Sequence, residues 1–440
     1  MLRRLTSIAL LALAAPAFGK TLKVPQQFPT VEDALDVVQK GDVIRLAAGH
    51  HVVRAHLSNL EGVSIRGAGP KNTFVVESEN LSAMPPTVFD VFKCTDISIS
   101  GLTIEGGSSF AIYLTNSRKI AVRDVRIRGT GVGSAPGPIE ASNCEDLEFT
   151  RVAFLDMQTT PLRLGFASFE IGGQVKISRC TFQDLTGFAI DLHANGIVLD
   201  RNRFKRIHGG AAVSVSAGDV VGEARITRNV FDDVDGAAIV VDGNHFALLT
   251  GNRVRGPGIY GFDLLTGLGA EVRSNRLSDL QVGIECALQN AILERNRIEG
   301  ATNNALSVHG ADALVARNVI VDAVGDGIVV AGADIALRAN RITAPGVHGV
   351  FVSAGSPGCV LAGNRVVRPK ADGFKVAQDA TVLNGNAVSK ASEHGFEIIS
   401  TGNTLKHNSA RGSTLSDLLC DLQTNTIAKN NDFGTVEDLP

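Results

Sequence analysis

Asp191-Leu192-His193 is the stretch best equipped for chemistry, because side chains two apart on a strand share a side and bring a carboxylate and an imidazole together. Arg163 stands at the equivalent place one repeat earlier, and Tyr113 stands two repeats before that. On a uronate polymer, Arg163 would neutralise the sugar carboxylate and acidify its C5 proton. His193 or Tyr113 would abstract that proton, and the other would donate one. The outcome is β-elimination or epimerisation. The competing reading makes Glu140, Arg163 and Asp191 an exposed ladder of alternating charge that contributes little.

Glu140, Ser214, Ser216, Asp263 and Glu285 fall at exposed positions of the same register and are the candidate substrate-binding residues. Asp242, Asp263 and Glu285 form a second candidate, a metal site. Asp263 and Glu285 are expected one strand spacing apart, where like charges repel. A Ca²⁺ ion with hard oxygen ligands would relieve that repulsion, and a raised carboxyl pKa is the metal-free alternative. Calcium is the one cofactor this pattern suggests.

These residues share a face only if the chain is a stack. An Asn phrase recurs at Asn202, Asn229, Asn252, Asn275, Asn296, Asn318, Asn340, Asn364, Asn386 and Asn408, at intervals of 21 to 27 residues, with Asn430 extending it. A near-constant period of this size signals stacked units. In phase with it run Gly-apolar-x-apolar segments such as Gly261-Phe262-Asp263-Leu264 and Gly283-Ile284-Glu285-Cys286. Each is too short for a helix and is bounded by Gly, Asn or Asp, which reads as strand. Two or three such strands per period predict an all-β chain, a single-stranded right-handed parallel β-helix. Asn202 and Phe204 share a face, so the asparagines are expected to point inward at a bend and bond along the stack. That is a structural role without catalytic duty. Arginines beside them, from Arg201 to Arg365, should form an outward basic stripe, read as a solvated face with anionic-polymer binding as the alternative.

Before the repeats, Thr30 with Asp33 three residues later suits a helix N-cap, and Val31, Leu35 and Val38 lie on one helical face. A short capping helix over the open end of the stack is expected, ended by Gly41. Residues 1–19 have the basic, apolar, small-residue order of a signal peptide, which predicts a protein of the periplasm or the outside of the cell. Residues 20–50 then hold the cap and first strand, and 51–440 the β-helix. No later apolar run is long enough to span a bilayer. A net charge of -3 argues against nucleic acid as partner. Six cysteines invite disulfides, yet Cys94 and Cys144 occupy one turn position two units apart and Cys286 and Cys420 lie many units apart, so buried thiols are expected.

The helical cap with Gly41-Asp42-Val43-Ile44, the Asn-x-apolar turns and the Gly-apolar-x-apolar strands together resemble the right-handed parallel β-helix repeat superfamily over roughly residues 22–434. That superfamily holds pectate-lyase-like enzymes, alginate lyases and epimerases, and periplasmic NosD-type proteins of copper-site maturation. Tyr260-Gly261-Phe262-Asp263 matches the first half of the Tyr-Gly-Phe-Asp-Pro-His-Glu segment of mannuronan C5-epimerases, and Asp191-Leu192-His193 keeps its Asp-x-His. The segment is complete at neither place. Pectin methylesterase and polygalacturonase signatures are missing, and the histidines lack the pairing a copper role needs. The resemblance implies a monomeric polysaccharide-binding protein, either an enzyme that cleaves or epimerises an acidic chain or a non-catalytic envelope solenoid.

Overall fold

The computed structural model describes residues 19–439 except 78–86, 107–109, 130–136, 166–170, 217–221, 244 and 268. The expected signal peptide lies outside the described residues apart from Gly19. The chain winds as an all-β right-handed solenoid of about 17 turns with almost no helix. One turn contains Val213–Ser216, Gly222–Thr227 and Val230–Val234, and each strand pairs in parallel with its counterpart one turn later. Stacking these strands produces three faces. Face one carries the Gly-register strands, face two follows it, and face three begins just after each ladder asparagine.

Alternation decides what each strand buries. Val213 and Val215 are buried while Ser214 and Ser216 are not, and the same pattern repeats in Phe374–Val376 and Phe396–Ile398. Inside, equal residues stack on equal residues. The rings of Phe154, Phe182, Phe204 and Phe231 lie 4.9, 4.9 and 4.6 Å apart in sequence. All six cysteines are buried and free, as the repeat register requires.

The asparagine ladder sits at the bend between faces two and three. Asn296 Oδ1 accepts from the backbone N–H and side-chain amide of Asn275 at 3.1 and 3.0 Å, and its own amide donates to Val272 O at 2.8 Å and to Asn318 Oδ1 at 3.1 Å. The residue before each asparagine turns the corner in the left-handed region, as at Arg228, Gly251 and Arg295 (φ 56°, 66° and 57°). The ladder ends differently from the sequence expectation. Asn408 bonds to Asn431, while Asn430 lies outside and meets the His407 ring. A shift of one residue at the last turn places Asn431 on the inward side.

The helix is also shorter than expected. It spans Val31–Leu35 and stops before Val38. Thr30 Oγ1 accepts from Asp33 N–H at 3.1 Å, and the Asp33 carboxylate accepts from Thr30 N–H at 3.0 Å. Val31 and Ala34 are its buried residues.

Asn296→Ala removes four buried hydrogen bonds and strands polar groups on both neighbouring turns, so it should destabilise the chain by about 3 kcal/mol. Exposed Lys406→Ala should stay within about 0.5 kcal/mol. Urea denaturation of the two variants checks the difference.

Candidate functional site

Strand register on face one lines up Tyr113, Glu140, Arg163, Asp191, Ser214, Val240, Asp263 and Glu285 as successive partners. A second outward row, two residues further along each strand, aligns His193, Ser216 and Asp242. The face predicted from the period is therefore one physical surface. Its strands are held by the buried residues between the outward ones, such as Ile190 and Leu192 beneath Asp191 and His193.

Three successive rungs bring the central residues together. Arg163 Nε lies 3.7 Å from Asp191 Oδ2, and His193 Nε2 lies 3.9 Å from Asp191 Oδ1. Ser216 Oγ is 3.0 Å from His193 Nδ1 and 3.1 Å from Nε2, so the hydroxyl is in direct contact with the imidazole. Arg163 remains 46% exposed, while the Asp191 and His193 side chains are 19% and 25% exposed. The result is a reachable imidazole backed by a carboxylate with a guanidinium alongside.

Tyr113 stands apart from this group. It lies three rungs from Asp191, about 14 Å at roughly 4.8 Å per strand. That distance prevents Tyr113 and His193 from acting on one sugar carbon. Its ring packs 4.8 Å from Phe110, and burial, followed by the charges of Glu140 and Asp90, pushes its hydroxyl pKa up. Between them, burial also raises the Glu140 carboxyl pKa, with Arg163 opposing. Glu140 Oε2 is buried without a hydrogen-bond partner. Ser214 follows Asp191 in the row.

The acidic set does not converge as a ligand cage. Asp242 accepts from the Thr266 hydroxyl, and Glu285 Oε1 meets His309 Nε2 at 2.5 Å. Among the described residues Asp263 has neither a hydrogen-bond nor an ion-pair partner, and burial, then Glu285 and Asp242, push its pKa up. Among the described residues, no three His, Cys, Asp or Glu side chains group as a metal site.

His309, which the period also assigns to this face, is not among the candidate site residues, yet the structure brings it onto Glu285. Its signal was available, since it follows Ser307 by the same two residues that separate His193 from Asp191. Tyr260, whose pKa is raised by burial and by Asp263 and Glu285, completes this second group. A lateral ladder was also missed. Asp326, His348, Asp372 and His394 each precede the glycine of their turn; Asp326 Oδ1 accepts from His348 N–H at 2.8 Å and Asp372 Oδ1 from His394 N–H at 2.9 Å. His348 Nδ1 lies 3.0 Å from the buried Asp372 Oδ2 and 3.4 Å from the Asp372 backbone N–H, which donates to it. The sequence also places insertions at 129–137, 165–173 and 217–222, expected to wall the groove, and these fall largely outside the described residues (130–136, 166–170 and 217–221).

Residues 211–366 match the family described as a right handed beta helix region. No curated protein matches the chain. Solved structures with a similar winding include the A-module of the mannuronan C-5 epimerase of Azotobacter vinelandii (13% identity, 82% of this chain and 90% of that one, TM-score 0.36). A surface adhesin of Streptococcus pneumoniae (13%, 87% and 92%, 0.34) and an alginate lyase in complex with a trisaccharide (10%, 96% and 93%, 0.38) are others. The chain is thus similar to that family over residues 211–366, and its described residues share the fold, a right-handed parallel β-helix.

Proposed function

We propose that the chain is an exported protein that binds an acidic polysaccharide along face one and removes the C5 proton of a uronate residue there. The convergence of Arg163, Asp191, His193 and Ser216 on three successive rungs carries this reading. Arg163 has exposed guanidinium surface left to meet the sugar carboxylate and stabilise charge developing on it. Asp191 and Ser216 hold the His193 ring. In elimination the C5–H electron pair forms the C4=C5 double bond as the C4–O4 bond breaks. The proton passes through His193 to the departing O4, so one imidazole serves as base and then acid. In epimerisation His193 releases the abstracted proton to solvent, and a different proton, from water, is delivered to C5 on the opposite face.

One observation favours a second reading, a glycan-binding solenoid without catalysis. Tyr113 lies too far away to act as the partner acid, and Arg163 is already drawn toward Asp191. The two readings separate on alginate, pectate and glycosaminoglycans through the rise in ultraviolet absorbance from unsaturated ends and through the change in uronate configuration. The enzyme reading expects turnover that falls about 10²–10⁴-fold in His193→Ala while glycan binding persists. No reaction on any of the three, with binding unchanged in His193→Ala, leaves the non-catalytic solenoid.

Glu140 gives a prediction on stability. Its folded pKa is raised, so the stability contributed by its neutral form is present below the ordinary carboxylate range and is lost as pH rises through the raised value. Glu140→Gln should therefore melt about 1–2 °C higher than the parent at pH 7 and converge with it near pH 4. Melting curves across that range check the sign.

A further inference from the structure

Face three carries a second ladder, chemically opposite to face one. Register places Arg203, Val230, Arg253, Arg276, Arg297, Val319, Arg341 and Arg365 on eight successive rungs, six of them arginine. All six are exposed. Like charges directly opposite one another on paired strands repel. Ordinary surfaces relieve this with interleaved acids, as Asp200 does for Arg201 and Arg228 at the neighbouring bend. The face-three row lacks that relief. Among the described residues, only Arg297 has an ion-pair partner, Glu299 on its own strand. In the adjoining outward row, Asp232 is one further acid and Ser278 is neutral; Arg255 is drawn to Asp279 at 3.8 Å. Arg253, Arg276 and Arg297 line an open cleft of about 450 Å³ whose floor is Val254 and Leu277.

We propose that this arginine ladder is a binding surface for an anionic polysaccharide, laid along the solenoid axis with its carboxylate or sulfate groups between successive guanidinium forks. The choice of side chain supports it. Arginine offers planar, bidentate donors to such oxyanions and is less strongly hydrated than lysine, which a merely solubilising row would use equally well. The row spans about 34 Å at roughly 4.8 Å per rung, a linear track suited to a polymer. Neither outward row of face three holds an aromatic side chain from Arg203 to Val367, so there is no platform on which nucleic-acid bases would stack. The surface is independent of any reaction on face one.

Sulfated dextran separates the two faces, because it carries dense negative charge and no C5 carboxylate. Its binding to the full chain, followed by fluorescence anisotropy at 0.05 and 0.15 M salt (Debye lengths of about 14 and 8 Å), should weaken about ten-fold in the double variant Arg253→Gln/Arg276→Gln. A second pair, Arg341→Gln/Arg365→Gln, should weaken it too, with melting temperatures unchanged because all four residues are exposed. Arg253→Lys/Arg276→Lys should fall between parent and glutamine variant. Equal affinity in both glutamine variants, equal binding of neutral dextran, or no binding to the parent overturns the proposal. Tighter binding of a single-stranded oligonucleotide would assign the ladder to nucleic acid and also overturn it. Turnover of short oligouronates, if face one is active, should be the same in the Arg253→Gln/Arg276→Gln variant, so failure on one face is distinguishable from failure on the other.

Discussion

Everything in this molecule depends on keeping each turn in register with the next. Parallel backbone pairing alone would tolerate slippage wherever the inward residues are interchangeable aliphatics, as they are in most of these three-residue strands. The buried asparagines remove that freedom. Each amide bonds to the asparagine above and below and to a carbonyl, and a displaced turn would leave those groups buried and unpaired. Stacked phenylalanines reinforce the same alignment through ring contact. The two ladders hold structure inside, and for that reason they dictate which residues become neighbours outside.

The functional surfaces follow from this alignment. A repeat with fixed inward positions leaves the outward ones free to vary, so charge can be segregated by face at no expense to packing. Face one collects Glu140, Asp191, Asp263 and Glu285 with Arg163, His193 and His309 among them, whereas face three collects arginine with few counterions. Burial raises the carboxyl pKa of both Glu140 and Asp263, and at Asp263 the neighbouring Glu285 and Asp242 add to it. An acidic glycan would meet a face that is partly neutralised by its own environment on one side and a basic track on another.

Much of this was legible from period and alternation. The outward row of face one could be written down from sequence because a strand side chain has only two directions and the repeat length fixes the phase; every neighbour from Tyr113 to Glu285 falls as that rule requires. Distances within the row were less accessible. Counting rungs already sets Tyr113 three strands, about 14 Å at roughly 4.8 Å per strand, from His193, whereas the side-chain contacts of Asp191 with Arg163 and His193 come from the geometry alone. Asn430 and Asn431 illustrate a different limit, since adjacent asparagines fit the period equally well and the final turn chooses between them through its local backbone. The Asp326, His348, Asp372 and His394 ladder escaped because it lies at a bend, where strand alternation no longer predicts direction. Asp242, Asp263 and Glu285 were grouped by charge, and the actual partners of Asp242 and Glu285, Thr266 and His309, lie just past the strands of the next turn, which a charge count does not see.

The central claim is that His193 removes a proton from C5 of a bound uronate. An oligouronate deuterated at C5 tests this most directly, with the label followed by NMR during incubation with the chain and with His193→Ala. Loss of deuterium from C5 in the presence of the chain, and its retention with His193→Ala, is the predicted result. Full retention by both proteins, under conditions where the oligomer is shown to be bound, would contradict the account.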